Sequence, residues 1–204
     1  MPQNDAAAFW NERFAQQDYY YGKRPNDFLR QQIGSFAPAS KILSLGEGEG
    51  RNAVFLAQHG HQVTALDAAQ AGLDKAKQLA AEHYVAINTI QTQLQNYRLE
   101  PNQWDGIIAI FCHLPAPLRQ QVHEQIKYSL TPGGIFLLEA YTPKQLEYGT
   151  GGPKNIDLLY DPEVIKKELS GLEMLHFKEV ERDIHEGLGH RGLSSVLQIV
   201  ARKT

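Results

Sequence analysis

The chain is 204 residues long and 42% hydrophobic, with Lys+Arg 20 against Asp+Glu 23 and a formal net charge of −3. At roughly 100–200 residues per domain this is a single domain, able to bury about 70% of its extended surface without covalent staples. The lone cysteine, Cys112, excludes a disulfide framework, a cysteine-based metal cluster and a three-cysteine iron–sulfur site. The charge balance speaks against a nucleic-acid or membrane surface. The opening MPQNDAAAFWNERF has no basic stretch ahead of an apolar one, so no signal peptide is expected. The longest apolar run, Ile107 to Cys112, is far too short to span a bilayer. The expectation is a soluble, cytoplasmic protein, a monomer or weak homodimer with no nucleic-acid or membrane partner.

Aromatic residues at helical spacing (Phe9, Trp10, Phe14) predict a first helix after Asp5. A loop follows around Gly22–Pro25, and then a second helix over Asn26–Ile33. From there strand and helix patterns alternate. Lys41–Leu45 reads as a buried strand, Asn52–His59 as a short helix, Gln62–Asp67 as a strand and Ala69–Glu82 as a helix. Ala86–Thr92 is a third strand, and Asp105–Phe111 the strongest strand of the chain. A helix over Pro117–Leu130 is stopped by Thr131-Pro132-Gly133-Gly134, and Ile135–Tyr141 is a fifth strand. Such alternation predicts a doubly wound parallel sheet with helices on both faces. Thr142–Tyr160, rich in glycine and proline, reads as an exposed loop. Asp161-Pro162-Glu163 starts a helix ending near Leu169, with Asp as N-cap and Pro at N1. Met174–Ile184 and Ser194–Arg202, joined by residues 185–192, form an antiparallel hairpin.

Leu45-Gly46-Glu47-Gly48-Glu49-Gly50-Arg51-Asn52 falls where the first strand turns into a helix. Glycines there allow a tight turn and close approach of a ligand. A dinucleotide loop, Gly-x-Gly-x-x-Gly, would need glycine where Arg51 stands, and no Gly-Lys-[Ser/Thr] is present for a phosphate-cradling loop. Glu47 and Glu49 would repel a pyrophosphate at the helix N-terminus but not a cationic ligand. Asp67 closes the second strand, where it either caps the next helix or accepts from the two hydroxyls of a ribose. Taken jointly, these features point to a nucleoside with a cationic tail.

Over Lys41 to about Tyr141 this combination resembles the class I S-adenosylmethionine-dependent methyltransferases. Gly46–Gly50 looks like the family's first motif, Asp67 like its ribose-holding acid, and Thr131–Gly134 like its Pro-Gly-Gly turn. The terminal hairpin looks like the family's sixth and seventh strands. Tyr21-Gly22-Lys23-Arg24-Pro25-Asn26, Gly46–Asn52 and His113-Leu114-Pro115 are similar to small-molecule methyltransferases of the tellurite-resistance type. The resemblance implies a Rossmann-like α/β fold of five parallel strands plus a hairpin. It divides the chain into an N-terminal helical lid (1–36), a cofactor-binding core (41–141), a loop over the active site (142–160) and a C-terminal helix and hairpin (161–204). It also implies S-adenosylmethionine as cofactor, held by Gly46, Glu47, Gly48, Gly50, Arg51, Asn52, Asp67 and Ala68. The acid that the family often carries after the third strand is replaced by Gln93, whose carbonyl, with the Leu94 backbone, would serve the adenine.

Ligands of such sheets sit at the carboxyl ends of the strands. Phe111, Cys112 and His113 are therefore expected to face the transferring methyl, with His113 the candidate general base or, failing that, a loop histidine with its bonds satisfied. Cys112 is expected to be a small buried neighbour of the cofactor, not a nucleophile. Tyr21, in the Tyr19–Tyr21 run, and Tyr141 are expected to form a lid on the acceptor side. The polar residues His185, Glu186, His190 and Arg191 are read as a solvated hairpin tip, and no metal site is expected. The predicted reaction is in-line methyl transfer to a small molecule. The alternatives are a nicotinamide-dependent oxidoreductase and a non-catalytic cofactor- or partner-binding domain.

Overall fold

Residues 41–45 read KILSL, and in an extended chain their side chains alternate between faces. Ile42 packs with Val63, Ala65, Ile108 and Ile110 on one side, and Leu43 and Leu45 with Leu66, Ile107 and Ala109 on the other. A strand buried on both faces demands helices on both faces. In the computed structural model, which describes residues 6–204, this is what forms. The strands are β1 (Lys41–Leu45), β2 (Gln62–Asp67), β3 (Asn88–Gln91), β4 (Trp104–Ile110), β5 (Leu130–Tyr141), β6 (Leu172–Glu186) and β7 (His190–Lys203). They make one seven-stranded sheet in the order β3-β2-β1-β4-β5-β7-β6. The first five strands are parallel to one another, and β7 runs antiparallel to both β5 and β6.

The helices are α1 (Ala6–Phe14), α2 (Asp27–Gln31), α3 (Arg51–Gln58), α4 (Gln70–Glu82), α5 (Ala116–Ser129) and α6 (Pro162–Glu168). Phe28, Leu29, Ala53, Leu56 and Leu73 cover one face of the sheet; Val122, Ile126, Ile165 and Leu169 cover the other. Asp161 caps α6 by accepting from the Val164 N–H at 3.0 Å, with Pro162 in the first turn, as expected. The chain leaves β1 toward β2 on one side and β4 lies on the other, so the strand order reverses beside β1 and opens a crevice at its carboxyl end. Among the described residues no helix is long and apolar enough to cross a membrane.

Four expectations need correcting. The second N-terminal helix is only α2 and is followed by a 3-10 turn at Ile33–Ser35. Thr131–Gly134 lies inside β5, bulging between the pairs Trp104–Leu130 and Gly106–Ile135. The hairpin is longer than predicted, its ladder running on to Glu186–His190 with only residues 187–189 beyond it. Glu186 and His190 are consequently buried while His185 and Arg191 are exposed, by the two-residue alternation of a strand. Nor is 142–160 simply an exposed loop: Gln145, Leu159 and Tyr160 are buried, and Gly152 lies against the Tyr141 ring. Of the N-terminal segment, residues 1–5 lie outside the described residues.

Candidate active site

The turn from β1 into α3 runs along the crevice. Gly46 and Gly50 adopt φ of 61° and 95°, in the left-handed region that favours glycine. A Cβ on Gly46 would lie 2.8 Å from Cys112 Sγ at the end of β4, and one on Gly50 would lie 2.5 Å from Ala76 Cα in α4. The loop is thus wedged between two neighbouring elements. Phe14, the last residue of α1, stands over its middle, 3.1 Å from where a Gly48 Cβ would be. Asn11 anchors α1 by accepting from the Ala71 N–H at the start of α4, at 3.0 Å.

The two loop carboxylates are both engaged within the protein. Glu47 Oε1 accepts from the N–H groups of Asn52 (3.1 Å) and Ala53 (3.0 Å), in the first turn of α3, and Ser44 Oγ donates to Oε2. Burial pushes its carboxyl up, opposed by those hydrogen bonds and by Arg51. The side chain expected to contact cofactor therefore caps the helix, and the N-terminus that would bind a phosphate already holds a carboxylate. Glu49 pairs with Lys75 at 2.8 Å and accepts from the Tyr21 N–H at 3.3 Å, tying the N-terminal segment to the loop.

Asp67, at the carboxyl end of β2, accepts from Gly48 N–H and Ala69 N–H, both at 2.8 Å. A carboxylate has about four acceptor sites, so two remain. Burial pushes this carboxyl up, against the pull of the backbone donors. Gln91 donates to the Ala68 carbonyl at 3.0 Å, and the Thr92 N–H to the Asp67 carbonyl at 2.9 Å. This fixes the strand end next to Gln93 and Leu94, where a 3-10 turn begins.

A strained residue follows β4: Phe111 has φ 52°, rare for a bulky side chain. Beside it Cys112 lies against Gly46, and burial with the nearby Asp67 charge pushes the thiol up to about 12, so it is no nucleophile. His113 differs from its expected role. Its Nδ1 lies 2.8 Å from the Leu158 carbonyl, to which it donates, and the Tyr141 N–H points at Nε2 at 3.4 Å. Both ring nitrogens are engaged by backbone, and burial lowers the pKa to about 4. This fits a histidine that pins residues 111–114 to the 142–160 segment better than a general base. Tyr160 reinforces that clasp by donating to the Cys112 carbonyl at 2.7 Å. Tyr141 is fully buried, and its hydroxyl has no hydrogen-bond partner among the described residues.

A cavity at this edge brings together Gly46, Glu47, Gly48, Arg51, Asn52, Tyr21 and Phe111 from the expected set. Gly50, Asp67, Ala68, Gln93, Leu94, Cys112, His113 and Tyr141 are not among its lining. Phe14, Glu49 and His190, which the sequence reading did not assign to the site, are. The missed signal for His190 was strand alternation carried four residues upstream of Ser194. Around the cavity lies a buried ionic network. Arg51 pairs with Glu186 at 2.5 Å, and Arg182 with Glu139 at 2.8 Å and Glu186 at 2.9 Å. Asn26 donates to Glu139 at 2.5 Å and to Glu186 at 3.0 Å. Two arginines balance two carboxylates, so the network satisfies its charges while holding the N-terminal segment onto the sheet edge.

Residues 42–134 match the family described as "Methyltransferase domain". The chain is 26% identical over 129 residues to a 2-heptyl-1-hydroxyquinolin-4(1H)-one methyltransferase of Mycobacteroides abscessus, a match covering 62% of this chain and 57% of that protein. It is similar in structure to TehB from Haemophilus influenzae, with TM-score 0.73, 17% identity, and coverage of 97% of this chain and 67% of that one. It is also similar to the N-methyltransferase NodS from Bradyrhizobium japonicum, with TM-score 0.66, 16% identity and 98% coverage of both chains. A parallel α/β core, a glycine turn without a phosphate site, an acid closing β2 and this match converge: residues 42–134 match a methyltransferase domain, and the fold is that of solved S-adenosylmethionine-dependent methyltransferases.

Proposed function

We propose that the protein is an S-adenosylmethionine-dependent methyltransferase acting on a small molecule. The observation that carries this reading is the Glu47 carboxylate in the N-terminus of α3, with the Asp67 carboxylate beside it at the end of β2. The first fills the place where a nicotinamide cofactor's pyrophosphate would bind; the second retains acceptor capacity for a ribose diol. The donor set therefore suits an uncharged nucleoside carrying a cationic tail. Asp67 would hold the ribose, the Gly46–Gly48 backbone the amino-acid end, and Ala68, Gln93 and Leu94 the adenine. When bound, S-adenosylmethionine supplies an electrophilic methyl group on a sulfonium.

The rest of the chemistry falls to alignment and the exclusion of water. Phe111, held by the clasp of Leu158 and Tyr160 on the two residues after it, shapes the wall, and Phe14 and Tyr21 cover the mouth as a lid. The relative named for a hydroxyquinolone acceptor supports a small-molecule substrate. The net charge of −3 supports a protein that does not bind nucleic acid, and we read it as a cytoplasmic monomer or weak homodimer. Calorimetric titration tests the reading: S-adenosylhomocysteine should bind in the low-micromolar range and NAD not measurably. NAD binding tighter than S-adenosylhomocysteine would overturn it.

A further inference from the structure

His190 begins β7, at the hairpin tip, yet it is only 6% exposed and its ring lies in the cavity wall. Its ring centroid is 4.2 Å from that of Phe111, 4.3 Å from Tyr21 and 5.6 Å from Tyr141. Nδ1 has no hydrogen-bond partner among the described residues; Glu186 Oε2 is 3.9 Å away, beyond hydrogen-bonding distance. Glu186 is already committed to Arg51, Arg182 and Asn26. Buried polar groups are rarely left unpaired unless a ligand or water completes them. The contrast with His113 is direct, since backbone engages both of that ring's nitrogens.

Arg51 is paired with Glu186, Glu49 with Lys75 and Glu47 with the N–H groups of α3, so beside these engaged charges the cavity offers aromatic faces and an imidazole. Burial, with Arg51 and Arg182 acting in the same direction and Glu186 opposing, lowers the His190 pKa to about 4, leaving the ring neutral near pH 7. A base this weak can take a proton only from an acidic X–H group. Aromatic walls favour a flat or polarisable partner.

Resting on the methyltransferase reading above, we infer that His190 meets the methyl acceptor and that the acceptor is a small phenol or thiol. The acceptor's O–H or S–H bond breaks, its proton passes to the imidazole nitrogen and its electron pair stays on the oxygen or sulfur. That atom then bonds to the methyl carbon while the carbon–sulfur bond breaks with its pair remaining on the sulfonium sulfur. The imidazolium returns its proton to water.

The test uses isotope-labelled histidine in the full chain saturated with S-adenosylhomocysteine, titrated with para-nitrophenol and with thiophenol while the imidazole nitrogen resonances are followed. At least one probe should move the His190 nitrogens and leave those of His113 in place. With S-adenosylmethionine the same probe should be methylated. His190→Phe keeps the ring volume and should cut its turnover by about 10²-fold or more, with S-adenosylhomocysteine affinity unchanged within about threefold. His190→Gln should recover part of the loss by accepting a hydrogen bond, which also separates a lost proton acceptor from a disturbed fold. The inference is overturned if neither probe moves the His190 nitrogens, if only those of His113 respond, or if His190→Phe turns over at the wild-type rate. Failure of the wild type to bind S-adenosylhomocysteine would instead refute the underlying methyltransferase reading.

Discussion

Replacing Asp67 by asparagine keeps the side chain's outline and removes its charge. In the native site Oδ2 accepts the Gly48 N–H and Oδ1 the Ala69 N–H, each at 2.8 Å. An amide offers one oxygen, so one backbone donor meets an NH₂ group, and a buried donor left unsatisfied costs about 1–3 kcal/mol. A second effect opposes this. Burial raises the Asp67 pKa in the folded protein. For an acid, a raised folded pKa means that stability falls as pH rises through the window from about 4 to the raised value. Above that window the ionised wild-type carboxylate bears that cost in full, and the amide removes it. Urea unfolding at pH 7 should therefore show Asp67→Asn destabilised by about 1 kcal/mol or less, against about 2–6 kcal/mol for Asp67→Ala, which orphans both donors. Affinity should respond differently. Two ribose hydroxyls lose a charged acceptor in either variant, a loss of about 1–3 kcal/mol, or roughly 5- to 150-fold in Kd. Calorimetry with S-adenosylhomocysteine on the folded Asp67→Asn protein reads that difference. Unchanged affinity there would show that Asp67 only braces the glycine loop and that the ribose site lies elsewhere.

Glu47→Ala should destabilise by about 1–2 kcal/mol, because the N–H groups of Asn52 and Ala53 lose their cap. It should also open the α3 N-terminus to anions, so that inorganic phosphate raises the variant's Tm and leaves the wild type unmoved; an equal response would disprove the plugged-terminus argument. Glu168 pairs with Arg119 at 2.8 Å and with His123 at 2.7 Å, all three side chains buried. Burial pushes its carboxyl up, but His123 and Arg119 outweigh that and hold it down at about 2. Its contribution to stability is complete above its ordinary value of 4.5 and is lost as pH falls from there toward about 2. Glu168→Ala should cost about 3–5 kcal/mol at pH 7 by stranding Arg119, and its stability should lack the wild-type decline across that acid window. A parallel decline in both proteins would assign the acid sensitivity to other carboxylates.

Much of the fold was legible because its signals are local. KILSL, QVTALD and DGIIAIF are short apolar runs bounded by glycine or polar residues, and strands buried on both faces leave just that trace. The Asp161–Pro162 start of α6 was readable for the same reason, since a cap and a fixed φ act within one turn. The glycine loop and Asp67 were legible as a pair because a ligand at the carboxyl edge of β1 and β2 needs both a close backbone and an acceptor.

The partners of the polar side chains were decided by tertiary structure. Glu47 and Asp67 both stand next to a helix start, yet one carboxylate is consumed by α3 while the other keeps free acceptor sites. No sequence spacing states which, because the answer depends on where β2 and α3 meet. His113 follows the fourth strand as read, but the Leu158 carbonyl that engages it lies 45 residues away, on a segment that read as loop. His190 was read as hairpin tip because the ladder from Glu186 to His190 has weak apolar alternation. The ladder continues because Asn26 and Arg51, from elements more than 130 residues upstream, supply the charge and hydrogen bonds that let Glu186 be buried. The sequence by itself determined the layers and the glycine turn that leaves the first strand, since these follow from hydrophobic period and glycine placement along neighbouring residues. Tertiary structure alone decided which imidazole is satisfied and which keeps an unpaired nitrogen in the cavity wall, because a hydrogen bond between distant segments exists only once the chain has closed on itself.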